Sequence, residues 1–161
     1  MTNQAERTPS TVISSDAPIH SDSSANLERV RQFLASWDRR PVDVAQIGQF
    51  ISPEYVDHTR LQSDPSLSDR EVLIGLSHAL AAGFPDGVHH LSLIELVGPD
   101  SVLVYWRFTG THTGTFFGIS PTGRQVDFVG TDLLTLRDEQ IVEHRHVEEL
   151  HKAFAQLGLM G

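Results

Sequence analysis

Apolar positions along the chain change their spacing once, near residue 88. Before that point they recur at intervals of three and four. Leu27, Val30, Leu34 and Trp37 form such a stripe, widened by Phe33, which predicts an amphipathic helix. Pro41 ends the run, and residues 42–50 read as a second, shorter helix. Ser52-Pro53-Glu54 reads as the cap of a further turn, because Pro suits the first helical position. Tyr55 to His58 then leads into a polar loop. Ser68 and Glu71 stand at capping-box spacing, so a helix is expected to start there. Val72, Leu76, Ala79 and Leu80 follow on one of its faces. Gly83 is expected to stop it in a left-handed conformation, and residues 84–87 read as a turn.

Beyond residue 88 the period is two. Residues 88–97, 102–111, 125–136 and 141–150 predict strands, with Gly98-Pro99-Asp100 marking the first turn between them. The last ten residues, around Ala153, Phe154 and Leu157, predict a short helix or a tail. Helices followed by a run of strands indicate an α+β fold with a mainly antiparallel sheet. Val102, Val104, Trp106 and Phe108 alternate with Leu103 and Tyr105, so this sheet is apolar on both faces. Helices cover one face, and a homodimer partner is the expected cover for the other. Residues 1–25 are rich in Ser, Thr and Pro and are expected to form a disordered tail, leaving 26–161 as one domain.

Composition narrows the function classes. The formal net charge is −9, from 21 acidic and 12 basic side chains, with the basic ones scattered. Nucleic-acid binders need a basic face to displace counterions from phosphates, so neither nucleic acid nor an anionic membrane is an expected partner. There are no cysteines, which excludes disulfides and thiolate chemistry. No apolar run is long enough to span a bilayer, and the N-terminus lacks the pattern of a signal peptide, so a cytoplasmic location is expected.

The stretch WRFTGTHTGTFFGISPTG, residues 106–123, resembles the signature of the SnoaL-like polyketide cyclases. These belong to the nuclear-transport-factor-two-like, cystatin-like superfamily. The resemblance runs over roughly residues 27–158. It continues through Val126, Gly130-Thr131-Asp132 and Ile141-Val142-Glu143-His144. It includes the Phe84-Pro85-Asp86 turn and the polar pair Asp57-His58 near the family's pocket mouth. It implies a cone-shaped α+β barrel with N-terminal helices packed on a curved sheet. It also implies a hydrophobic carbonyl substrate, no cofactor, and Asp132 as the general acid/base of an aldol-type ring closure in natural-product biosynthesis.

The residues around Asp132 suit that role. Val126, Phe128, Leu134 and Leu136 fall on the same strand face, and desolvation by apolar neighbours makes a carboxylate a stronger base. If the following hairpin has Asp138-Glu139 as a two-residue loop, Arg137 faces Gln140 and Asp132 faces Arg145. A guanidinium there would favour the ionised carboxylate or bind an anionic substrate oxygen. A three-residue loop would instead bring His146 or His144 to Asp132. The resemblance places the segment bearing His112 near the pocket, as a residue to orient substrate or carry protons. His58, Trp106, Phe128, Arg145 and His146 complete the candidate pocket. At position 146 many relatives carry an acid.

Three alternatives stay open. The same cone hosts isomerases, dehydratases and epoxide hydrolases, and it also hosts binding proteins without catalysis. His144, His146 and Glu148 alternate on one strand face and have the donor types of a metal site. With the two-residue loop, however, that face is opposite Asp132, and no metal is assigned.

Overall fold

The structure is a computed structural model and describes residues 21–60 and 64–160. Its order is α1 (Ser21–Trp37), α2 (Val44–Gln49), β1 (Ile51–Asp57), α3 (Asp69–Gly83), β2 (Val88–Leu96), β3 (Ser101–Thr111), β4 (Gln125–Arg137), β5 (Gln140–Glu148) and α4 (Leu150–Leu157). The sheet order is β1-β5-β4-β3-β2. Neighbours are antiparallel from β5 to β2, and β1 is parallel to β5. The sheet does not close, and the helices pack against it as in the nuclear-transport-factor-two-like α+β cone. Most of the segment expected to be a tail lies outside the described residues. The part inside begins α1 at Ser21, earlier than the apolar stripe indicated.

The predicted helical stripes face the core. Val30, Phe33 and Leu34 of α1 are buried in one cluster with Val102, Val104, Trp106 and Phe108 of β3 and Val126, Leu134 and Leu136 of β4. Each such side chain, fully buried, contributes about 1.5–3 kcal/mol. The capping box of α3 is complete: the Ser68 amide donates to Glu71 Oε2 at 2.7 Å and the Glu71 amide donates to Ser68 Oγ at 3.3 Å. The other sheet face stays open in the single chain, with Tyr105 38% and Val147 74% exposed.

Two local expectations are corrected. Ser52-Pro53-Glu54 lies in β1 and caps no helix. Pro lacks the ladder donor, and β1 tolerates it because this strand is at the sheet edge and its register slips between Ile51 and Val56. Gly83 does end α3, but not in a left-handed conformation; the next residue, Phe84, is the C-cap. Glycine is required there for space, since a Cβ would meet the Cβ of Phe116 at 2.7 Å.

The register of β4 against β5 decides what faces Asp132. Asp138 and Glu139 do form the two-residue loop, both with positive φ, and Arg137 pairs with Gln140. However, Thr135 pairs with Glu143 while Leu136 pairs with Ile141, so Val142 is an extra, bulged residue. Every later partner moves by one. Asp132 pairs with His146, and Arg145 pairs with Leu133. The bulge thus carries His144 and His146 to the core side and turns Arg145 outward, overturning the expected Asp132–Arg145 pair.

Gly130 pairs with Trp106 across β3 and β4, and a Cβ on it would clash with the indole. Gly130→Ala is therefore expected to displace Trp106. The cost should be about 1–3 kcal/mol, as for overpacking elsewhere. A lower urea midpoint with changed tryptophan emission is the expected readout; an unchanged midpoint would show that the indole moves at no cost.

Candidate active site

Asp132 points from the middle of β4 into a cavity of about 570 Å³ between sheet and helices. The walls are mainly apolar: Phe33, Leu34 and Trp37 from α1, Leu73, Leu76 and Leu80 from α3, and Phe154 and Leu157 from α4. Trp106 and Phe128 stand on the sheet side. Asp132 is only 7% exposed. Its carboxylate is held on both oxygens. Trp106 Nε1–H donates to Oδ2 at 2.6 Å, and His144 Nε2 lies 3.1 Å from Oδ1.

Behind His144 stands Tyr55 of β1, its hydroxyl 3.0 Å from Nδ1. Burial pushes the Tyr55 phenol far above its ordinary value, and the negative charges of Asp57, Asp132 and Asp69 push it the same way. The phenol therefore keeps its proton and donates it to Nδ1, which puts the ring proton on Nε2, facing Asp132. This tautomer follows from the hydrogen-bond pattern. Tyr55, His144, Asp132 and Trp106 make one continuous chain across four strands.

A second cluster lies beside it. His146 is sandwiched between acids, with Nδ1 2.6 Å from Glu148 Oε1 and Nε2 3.1 Å from both oxygens of Asp57. Burial opposes its charge, but the hydrogen bonds and the charges of Asp57 and Glu148 outweigh burial and hold its pKa up to about 10. Asp57 shows the reciprocal effect. Burial works against its ionised form, yet hydrogen bonds from His146 and the Thr59 amide, with the nearby histidines, keep it below the usual carboxylate range.

Asp57, His144 and His146 can each offer a ligand atom within 4.8 Å of the others. Two histidines and a carboxylate suit a non-haem metal in type. In this arrangement His146 Nε2 is spent on Asp57 and His144 Nε2 on Asp132. A metal would have to replace both bonds and the His146 proton, so the set does not fit one as it stands. The face expected to lie away from Asp132 is in fact its neighbour, with His144 and His146 rings 4.6 Å apart.

The other candidates are dispersed. Trp106, Phe128 and His146 line the cavity. His58 lies in a shallow recess outside it, bonded to Glu143 at 3.0 Å; this recess shares Asp57, His146 and Glu148 with the cavity. Arg145 is exposed and bonds to Glu143, away from the cavity. His112 is fully buried, outside the cavity lining and stacked on Phe84 with ring centroids 5.2 Å apart. Its Nδ1 accepts from the Thr122 amide at 3.3 Å, leaving a buried Nε2 without a partner among the described residues. Trp37 Nε1 is the other such orphan. An unmet buried donor costs about 1–3 kcal/mol. The sequence reading missed Tyr55 as a partner of the site, since nothing local marks a tyrosine that acts from a neighbouring strand.

Cavity and cone define a class, an α+β pocket protein with one carboxylate set deep in an apolar wall. The family model described as SnoaL-like polyketide cyclase matches residues 28–157, and the chain belongs to that family. Solved structures agree. AclR of Streptomyces galilaeus, a candidate hydroxylase, is 25% identical with TM-score 0.72, over 86% of this chain and 87% of its own. IdmH of Streptomyces antibioticus, a candidate polyketide cyclase, is 27% identical with TM-score 0.67, over 83% and 98%. A candidate SnoaL-like polyketide cyclase of Jannaschia sp. CCS1 shares the fold at 23% identity and TM-score 0.71, over 91% and 98%. No curated protein matches. Among the described residues no helix is long and apolar enough to cross a membrane.

The acid–histidine–acid cluster makes a stability prediction. His146 has a folded pKa near 10 against about 6.5 unfolded, so between these values the folded state binds more protons. Its stabilisation is complete below about pH 6.5 and is lost as pH rises toward 10. Urea midpoints are expected to fall across that window, and His146→Gln should flatten the decline. An equally steep decline in the variant would assign it to another group.

Proposed function

We propose that the chain is a SnoaL-like polyketide cyclase that closes a ring on a hydrophobic carbonyl compound by acid/base catalysis at Asp132, without a cofactor. The observation that carries this reading is the division of labour among the cavity's three acids. Asp57 and Glu148 are committed to the charge of His146. Asp57 is also held below the carboxylate range, which makes it a poor base. Among the described residues Asp132 pairs with no arginine or lysine, and its oxygens are oriented by two N–H donors at the apolar wall.

The chemistry follows from that placement. Asp132 takes a proton from a carbon beside a carbonyl, and the C–H electron pair becomes an enolate. The enolate carbon attacks a second carbonyl of the same molecule and forms a C–C bond. The proton on Asp132 then passes to the new alkoxide, which restores the carboxylate. A cavity near 570 Å³ falls within the range of small-molecule sites and suits a folded polycyclic precursor. Proton removal also begins isomerisation and dehydration, so that step is the one to measure.

The test is enzyme-dependent exchange of the α-hydrogens of 2-tetralone in D₂O, followed by NMR. General acid/base groups typically contribute 10²–10⁴-fold. Asp132→Asn is expected to lower exchange at least about 100-fold while circular dichroism stays unchanged. Full exchange by this variant would remove Asp132 as the base.

A further inference from the structure

A second polar pole faces the same cavity, apart from Asp132 and the His146 cluster. His89 of β2 lines the wall, and Asp38, just past the end of α1, clamps it twice. The Asp38 carboxylate accepts from the His89 backbone amide at 2.8 Å and from the ring Nδ1 at 2.7 Å. An aspartate on Nδ1 fixes the ring and its tautomer and balances the charge when Nε2 takes up a proton. Among the described residues Nε2 has no hydrogen-bond partner, although the side chain is only 11% exposed. The surrounding contacts are aromatic: Trp106 at 5.3 Å and Phe108 at 4.8 Å between ring centroids. Trp37, whose buried indole N–H has no acceptor among the described residues, packs on the same imidazole at 6.1 Å.

His112 also leaves Nε2 unpartnered among the described residues, but it lies outside the cavity lining, whereas His89 stands in it. His89 spends Nδ1 on an anchored carboxylate and leaves Nε2 to whatever occupies the cavity. Trp106 also links the poles, meeting His89 on one side and donating to Asp132 on the other. Base and imidazole therefore both touch one indole on the wall of the same cavity.

We propose that His89, positioned by Asp38, is the oxygen-side catalytic residue of this cavity and exchanges a proton through Nε2 with the substrate carbonyl, while Asp132 works on the adjacent carbon. The inference rests on Asp132 being the base. The step balances as follows. Asp132 removes the α-proton as the Nε2 proton of the imidazolium passes to the carbonyl oxygen, giving an enol and a neutral imidazole. As the enol carbon attacks the second carbonyl and a C–C bond forms, the enol proton returns to Nε2. The proton held by Asp132 goes to the new alkoxide. One hydrogen has moved from carbon to oxygen, and both side chains end as they began.

Two measurements test this. In the 2-tetralone exchange assay, His89→Phe keeps a ring in the wall but removes the nitrogens, and it should lose at least about 100-fold. Wild-type exchange in His89→Phe together with loss in Asp132→Asn would overturn the role of His89 and leave the base intact. No exchange by the wild-type protein would overturn the reading of the base, and this inference with it. The second measurement needs no variant. The ¹⁵N resonances of the wild-type histidine side chains are followed on adding 2-naphthol, a planar enol mimic. His89 Nε2 is expected to shift most. Naphthol that shifts Trp106 and His144 but leaves His89 unmoved would overturn the proposal, even if His89→Phe is inactive through misfolding. Asp38→Asn should lower exchange about tenfold, whereas Asp38→Glu, which keeps a carboxylate for Nδ1, should retain part of that rate; equal losses in both would leave Asp38 a structural residue only.

Discussion

A carboxylate in an apolar wall is the constraint around which this cone is organised. Removing such a charge from water costs several kcal/mol unless hydrogen bonds replace the lost solvent. Asp132 has two replacements, and each depends on a separate piece of the fold. Trp106 reaches Oδ2 because position 130 has no side chain to block the indole. His144 reaches Oδ1 because the Val142 bulge brings it to the core side, and Tyr55 on the parallel edge strand then supports it. Four of the five strands therefore contribute one part each to a single charge. That explains why the glycine, the bulge and the parallel strand occur together.

Two histidines separated by one residue do different work. His146 lies between two acids and carries charge across the physiological range, so the cluster has a net charge of −1 at the edge of the cavity. His144 meets a phenol on one nitrogen and a carboxylate on the other, a pattern that a single ring proton satisfies. The charged pair and the hydrogen-bonded chain lie side by side without competing for partners. Asp57 serves the first and Asp132 the second.

Most of the fold was legible because it rests on local signals. The capping box of α3, the period-two strands and the Asp138-Glu139 loop are all written in nearby residues. The position of Asp132 among apolar neighbours was legible for the same reason. The register beyond the loop was read wrongly, because alternation was carried through Val142. Inward residues 141, 144 and 146 show one interval of three among intervals of two, and that irregularity is the only sequence trace of the bulge. Pro53 was ambiguous in a different way. It suits a first helical turn and an edge strand equally, and only pairing with β5 decides between them. His89 and Tyr55 left no trace, since their significance comes from partners 51 and 89 residues away.

The corrected register also changes the chemistry expected of the site. With Arg145 opposite, Asp132 would have been half of an ion pair, a stabilised anion with little pull on a carbon-bound proton. The bulge sends that guanidinium to the outer face, where it bonds to Glu143. Asp132 is left with donors that orient it without carrying a fixed positive charge against it. Hydrogen bonds fix direction at smaller cost in basicity than a guanidinium would, and direction is what proton abstraction at a chosen carbon requires. The charged imidazole that does line the cavity, His146, is spent on Asp57 and Glu148 and not on Asp132. Here one residue inserted in β5 keeps Arg145 outside.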